Sequence, residues 1–157
     1  MLAVWMFGSR LENLWGSKRF LIFYMATGIG AGLLHLGILY FEMEPIMAIF
    51  QNLPATKQEE LLYNPLFKVN GATVGASGAV FGCLAAFGYL FPNDTIYVYF
   101  FPVKAKFLVI GYAAMEIYLG IKNSAGDNVA HWAHIGGALV GIIIVLMWNK
   151  TNRRNFY

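Results

Sequence analysis

The chain has 157 residues, of which 59% are apolar and 12% are charged, and its formal net charge is +3. A soluble domain carries about twice that share of charged residues, so the composition excludes an ordinary soluble protein. The mean hydropathy of +0.57 indicates an integral membrane protein with room for four or five spans. The small net charge gives no reason to expect a nucleic-acid partner, and the single cysteine, Cys83, excludes an intrachain disulfide.

The first seven residues are apolar, and we interpret them as the tail of an earlier helix. They are too few for a span and lack the features of a signal peptide. Four complete transmembrane helices are predicted after them, at Phe20–Tyr40, Ala72–Phe91, Tyr97–Ile121 and Val129–Trp148. Pro102 interrupts the third span, whose helix could start only near Phe107. The predicted fold is an all-α, polytopic bundle of membrane helices.

The basic residues are divided unevenly between the two sides of this predicted bundle. Eight of the eleven fall on one side: Arg10, Lys18, Arg19, Lys104, Lys106, Lys150, Arg153 and Arg154. The positive-inside rule puts this side, and with it the C-terminus, in the cytoplasm. We therefore expect a multi-pass protein of the cell membrane whose spans contact the lipid bilayer.

The segment between the first two complete spans, residues 42–71, combines apolar residues at helical spacing with four glutamates. This pattern predicts one or two short amphipathic helices at the outer membrane interface. The segment is either a structural connector, which we favour, or part of a substrate-binding surface.

Two segments with reactive side chains lie near the outer ends of the second and fourth complete spans. Ser77 belongs to a Gly-Ala-Ser-Gly segment, and His134 begins the segment His-Ile-Gly-Gly-Ala-Leu-Val-Gly. Ser77 precedes Phe91 by fourteen residues and His134 precedes Trp148 by fourteen. Each side chain is therefore about 21 Å above the inner end of its helix. A serine and a histidine at one depth in lipid supply a nucleophile and its base.

Each of the two polar residues is followed by a pair of glycines that are four residues apart. Gly78 and Gly82 form one small-residue face, and Gly137 and Gly141 form another. Such faces let helix backbones approach closely in a membrane. We expect the two faces to pack together and to bring the serine and the histidine to hydrogen-bond distance.

The backbone around the serine is a candidate oxyanion site. Gly75 and Gly78 bracket Ser77, so the chain can turn tightly into the helix there. The N–H groups at a helix N-terminus have no intrahelical partner and can stabilise developing negative charge. We assign this role to the backbone of Gly75, Ala76 and Ser77.

These segments, together with Trp15-Gly16 and Arg19 ahead of a span, resemble the rhomboid intramembrane serine proteases. The resemblance rests on GASG around Ser77 and AHxxGxxxG from Ala133 to Gly141, and it covers essentially the whole chain. It implies a serine–histidine dyad without an acid, metal ion or cofactor. It also implies cleavage of single-span transmembrane proteins near the outer leaflet.

The resemblance assigns further roles to individual residues. Ser77 would be the nucleophile, His134 the general base, and Phe81 the aromatic residue that packs against the histidine. In the family, the asparagine of an HxxxN motif helps to bind the oxyanion, and this chain aligns from about the following residue. We therefore expect residues 1–157 to be a rhomboid-like membrane domain without its first span and the start of its second. The alternative function is a catalytically inactive rhomboid-like protein that binds client transmembrane helices.

Three more polar residues lie in or near the predicted spans. We expect His35 to have a packing role, and His131 to be solvated at the interface rather than to contact substrate or tune His134. A zinc site of His35, His131 and His134 lacks an acidic or HExxH context, so no metal is predicted. Glu116 either orients a histidine or makes a structural hydrogen bond to a neighbouring helix, and the dyad of the family favours the second.

Overall fold

The described part of the chain is mostly helical, which confirms the predicted helical class. A computed structural model describes residues 3–64, 76–98, 100–122 and 130–151. A π-helical segment, Val4–Gly8, leads directly into the first of the six α-helices found in these ranges. The elements are α1 Ser9–Trp15, α2 Ser17–Gln51, α3 Ala55–Leu62, α4 Ser77–Leu90, β1 Thr95–Val98, β2 Phe101–Lys104, α5 Ala105–Lys122 and α6 His131–Thr151.

Helices α1 and α2 meet at Gly16, where the chain changes direction. The backbone of Gly16 lies at φ 80° and ψ 156°, a region that only glycine adopts without strain. The turn lets the Trp15 ring pack against Phe23 of α2 and Trp148 of α6, with ring centroids 5.0 and 5.2 Å apart. This aromatic cluster closes one end of the helix bundle.

Helix α2 is longer than predicted. Residues 42–51, expected as part of a separate interfacial segment, continue α2, which has 35 residues and contains Pro45. The apolar residues at 46, 47, 49 and 50 recur at helical spacing, so the helix can continue beyond the span. At about 52 Å, α2 exceeds the roughly 30 Å hydrocarbon core of a bilayer and extends beyond it.

Helix α3 is the short helix of the predicted 42–71 segment, and none of its residues is buried. The side-chain amide of Gln58 donates to the carbonyls of Phe50 and Leu53, at 3.0 Å each, and ties α3 to the end of α2. Residues 65–71 of that segment lie outside the described residues.

Helices α2, α4 and α6 form the core of the bundle through small residues. Gly78 of α4 contacts Ala31 of α2, and Gly82, one turn later, contacts Thr27. Because the later glycine meets the earlier residue of α2, the two helices run antiparallel. Thr27 and Ala31 are buried, and the Thr27 hydroxyl donates to the carbonyl of Tyr24 at 2.9 Å.

The helix of the third predicted span starts after Pro102, close to the alternative start near Phe107 and not at Tyr97. Thr95–Val98 and Phe101–Lys104 pair as an antiparallel hairpin in which Tyr97 lies opposite Pro102, and α5 starts only at Ala105. Pro102 cannot continue a helix, and the β-branched and aromatic residues around it favour strands.

Two described helices, α2 and α6, are long and apolar enough to cross a membrane. In α6 the apolar stretch is His131–Asn149. The described length of α4 is 14 residues, about 21 Å, and residues 72–75 of its predicted span lie outside the described residues. The rhomboid resemblance and these apolar helices indicate an integral membrane protein.

Candidate active site

Ser77 is the first residue of α4, at the end of the bundle opposite the Trp15 cluster. Ala76 precedes it as the N-cap, with φ −79° and ψ 12°. The first helical hydrogen bond described here joins the N–H of Val80 to the carbonyl of Ala76 at 3.2 Å. Ser77 as a residue is exposed at this end of the bundle.

His134 lies in the first turn of α6 and is buried, with 8% of its surface exposed. Helix α6 runs parallel to α4, since Gly137 faces Gly78 and Gly141 faces Gly82 one turn further. A Cβ at Gly137 would overlap the carbonyl of Gly78, and one at Gly141 would lie 2.8 Å from the carbonyl oxygen of Gly82. The predicted glycine faces are therefore where the two helices approach each other most closely.

This approach brings the two predicted catalytic side chains together. The Nε2 atom of His134 lies 2.9 Å from the Oγ atom of Ser77, across 57 residues of sequence. The serine hydroxyl can donate to Nε2 when that nitrogen is unprotonated. The arrangement is that of a nucleophile hydrogen-bonded to a base.

The imidazole of His134 is held from one face by Phe81. The two rings are nearly parallel, with centroids 4.2 Å apart and an interplanar angle of 7°. Tyr112 of α5 in turn meets the edge of Phe81, with centroids 6.3 Å apart. Because Phe81 lies one turn after Ser77 on α4, one helix both carries the serine and supports the histidine ring.

His131 lies where the sequence did not predict it. It is buried, with 7% of its surface exposed, and its Nδ1 atom is 2.6 Å from Oε2 of Glu116, so the prediction of a solvated residue is wrong. The same carboxylate oxygen lies 3.0 Å from Nδ1 of His134. The i, i+3 spacing of the histidines and a lone acid in the preceding span were the available signals, but sequence cannot show which faces meet.

Among the described residues, one cluster could in principle hold a metal ion. It consists of Glu116, His131 and His134, whose potential ligand atoms lie within 4.8 Å of one another. Two ligands of a tetrahedral zinc ion are about 3.3 Å apart, given zinc–ligand distances near 2.0 Å. The 2.6 Å contact between Glu116 and His131 is shorter than this and is typical of a charge-assisted hydrogen bond. His35 is not part of the group.

The predicted oxyanion site is described only in part. Gly75 lies outside the described residues, whereas Ala76 and Ser77 form the start of α4. The first N–H groups of a helix have no intrahelical acceptor, so those at the start of α4 are available next to the Ser77 hydroxyl. A negative charge formed there would also lie at the positive end of the helix dipole.

An apolar cavity of about 270 Å³ adjoins the pair between α4, α5 and α6. Its lining includes Phe81, Tyr112, Glu116, His134 and Ala138. A cavity of this size and character can accept an apolar side chain or part of a lipid chain.

The comparisons with known proteins agree with the sequence resemblance. A family model described as "Rhomboid domain" matches residues 1–150. The chain is 29% identical over 149 residues to "Rhomboid protein 1, mitochondrial" of Saccharomyces cerevisiae, which covers 91% of this chain and 35% of that protein. It is 28% identical over 140 residues to "Rhomboid protease GluP" of Bacillus subtilis, covering 89% and 20% respectively.

A third relative is "RHOMBOID-like protein 1" of Arabidopsis thaliana, 30% identical over 145 residues, with 92% of this chain and 28% of that protein covered. The chain thus spans about a third or less of the length of these curated relatives. No solved structure matches the chain.

Proposed function

The chain belongs to the rhomboid family, and on that premise we propose that it is an intramembrane serine endopeptidase with Ser77 as nucleophile and His134 as general base. The observation that carries the proposal is the 2.9 Å contact between Ser77 Oγ and His134 Nε2. One of the relatives is itself named a protease. The intact pair favours this function over that of an inactive protein that only binds client helices.

The proposed mechanism follows from the two atoms in contact. Ser77 Oγ attacks the scissile carbonyl while its proton passes to His134 Nε2. The oxyanion of the tetrahedral intermediate is stabilised by backbone N–H groups at the start of α4. His134 then gives the proton to the leaving amine, which departs and leaves an acyl-enzyme. A water molecule, deprotonated by His134, hydrolyses the ester and restores Ser77.

The proposed substrates are single-span transmembrane proteins, cut near the outer end of their helix. The dyad lies at the end of α4 and α6 opposite most of the basic residues, which supports this position of the cut. Exposure of Ser77 supports it too, since hydrolysis needs water. The substrate helix must unwind locally to present a peptide bond to Ser77.

We propose that α2, α4, α5 and α6 span the plasma membrane and that the C-terminus lies in the cytoplasm. Cys83 is buried, so cysteines introduced at exposed positions can report topology with a membrane-impermeant maleimide. Glu59→Cys on α3 should react in intact cells, whereas Lys104→Cys should react only after permeabilisation. A mitochondrial location, as in the name of the yeast relative, would leave both unreactive in intact cells.

The proposal is tested by incubating the purified protein in nanodiscs with a fluorescent single-span substrate library. Cleavage by the unsubstituted protein, lost in both Ser77→Ala and His134→Ala, is the expected result. Cleavage that persists in Ser77→Ala would contradict it.

A further inference from the structure

Glu116 is a buried carboxyl group in a helix that we place in the membrane. It lies on α5 and has 5% of its surface exposed. A carboxylate in such surroundings is costly unless hydrogen-bond donors surround it. Its two described partners are both histidines of α6: His131 Nδ1 at 2.6 Å and His134 Nδ1 at 3.0 Å, each from the same atom, Oε2.

The position of Glu116 is fixed by the packing of α5 against the start of α6. Gly120, one turn after Glu116, allows the approach, because a Cβ there would lie 3.3 Å from Trp132 Cε2 and 3.4 Å from His131 Cβ. His131 makes the shorter contact to the carboxylate and so holds it in place. The packing of α5 against α6 and the contact with His131 therefore hold the Glu116 carboxylate next to His134.

The contact constrains the protonation of His134. A carboxylate only accepts hydrogen bonds, so the favourable state of His134 carries its proton on Nδ1, facing Glu116. A neutral imidazole with the proton on Nδ1 has its lone pair on Nε2, which faces Ser77 Oγ at 2.9 Å. A proton on Nδ1 therefore leaves Nε2 able to take the serine proton.

The 3.0 Å contact is not a linear hydrogen bond in this structure, since Nδ1 of His134 has no partner with hydrogen-bond geometry among the described residues. Catalytic hydrogen bonds are often misaligned in the free enzyme and tighten when substrate binds. Charge on the imidazole also interacts with the carboxylate at this distance without requiring alignment.

We propose that Glu116 is a positioning residue of the site: its carboxylate sets the tautomer of His134 and stabilises the imidazolium, and His131 anchors the carboxylate. This inference rests on the proposed function and adds a third member to the pair that the family resemblance implies. In this role Glu116 acts through His134.

The tautomer is measured directly by ¹⁵N NMR of protein labelled in its histidine rings. The chain has 3 histidines, so few signals arise, and His35→Gln and His131→Gln assign them. At pH 8 we expect His134 to be protonated on Nδ1 and unprotonated on Nε2, and Glu116→Met to abolish that preference. A resting His134 protonated on Nε2 in the unsubstituted protein would overturn the proposal, whatever the variant does.

Kinetics separate positioning from a structural role. Glu116→Gln keeps the shape of the side chain but removes its charge, so kcat should fall about 10²-fold while KM stays within twofold. Glu59→Gln, an exposed glutamate on α3, is the control and should leave both constants unchanged. A kcat for Glu116→Gln within threefold of the unsubstituted protein would contradict the proposal, as would a loss that matches the loss of folded protein.

The two measurements distinguish failure of this inference from failure of the proposed function. A protein that cleaves nothing but shows the Nδ1–H tautomer, lost in Glu116→Met, would contradict the protease and retain the positioning role. A protein that cleaves through Ser77 with His134 protonated on Nε2 would retain the protease and overturn the role of Glu116.

Discussion

Gly137 of α6 faces the backbone carbonyl of Gly78 on α4 so closely that a Cβ at position 137 would overlap the carbonyl oxygen. Gly78 follows the serine of the candidate site, and Gly137 lies one turn after its histidine. The separation of the two helices at this point therefore sets the distance between Ser77 Oγ and His134 Nε2. The packing of two glycines and the chemistry of the pair depend on the same contact.

Substitution of Gly137 by alanine should both destabilise the protein and impair the pair. The added methyl group forces α4 and α6 apart, at a cost of about 1–3 kcal/mol in the free energy of unfolding. Thermal unfolding in detergent measures the first effect, and Ser77-dependent cleavage the second. Gly111→Ala is the matched control, since nothing lies within 4 Å of its Cβ position. Equal stability of the two variants would contradict the packing described here.

Gly16→Ala should destabilise the protein for a different reason. No atom lies within 4 Å of a Cβ at this position, so the cost arises from the backbone conformation alone, with φ at 80°. We expect a loss of about 1–3 kcal/mol in the free energy of unfolding. Gly32→Ala, in the exposed middle of α2, has equal space and a helical backbone, so it should be neutral or stabilising. A Gly16→Ala variant as stable as Gly32→Ala would refute the strain argument.

Phe81→Leu should lower the rate of cleavage while leaving the fold intact. The stacked ring restrains the imidazole of His134, and an aromatic pair of this kind contributes about 0.5–1.5 kcal/mol. The expected loss in kcat is therefore about two- to tenfold. Phe107→Leu removes an exposed ring on α5 and should leave kcat unchanged. Equal kcat values for the two variants would show that the stacking does not support His134.

The ion pair between Arg10 and Asp94 should contribute little. The Nη2 and Oδ2 atoms are 3.3 Å apart, and the two side chains are 62% and 38% exposed. Exposed pairs of this kind contribute about 0.2–1 kcal/mol. Arg10→Gln should therefore lower the melting temperature only slightly, and less so in high salt. A large loss of stability would mean that this contact carries part of the fold.

The candidate site was predictable because its residues belong to short sequence patterns. Ser77, His134 and the glycine pairs that follow them have fixed spacings, and helical geometry converts these spacings into one depth and two packing faces. The stacking of Phe81 on the histidine followed from the family resemblance. None of these inferences required knowledge of how the loops connect the helices.

The remaining features depended on contacts that spacing cannot show. The burial of His131 arises from Glu116 of α5, and the sequence does not reveal that these two helix faces meet. The hairpin around Pro102 replaced the start of a predicted span because apolar strands and apolar helices share one composition. Helix α2 continues beyond Tyr40, the last residue of the predicted span, because polar residues beyond a membrane need not end a helix.

The central claim is that Ser77 is a nucleophile activated by His134. Its most direct test is labelling of the protein in isolated membranes by a fluorescent fluorophosphonate, which reacts with an activated serine. We expect labelling of the unsubstituted protein, loss in Ser77→Ala, and strong reduction in His134→Ala although Ser77 is still present. Labelling of Ser77 that is equally strong without the His134 imidazole, or no Ser77-dependent labelling in correctly folded protein, would contradict the account.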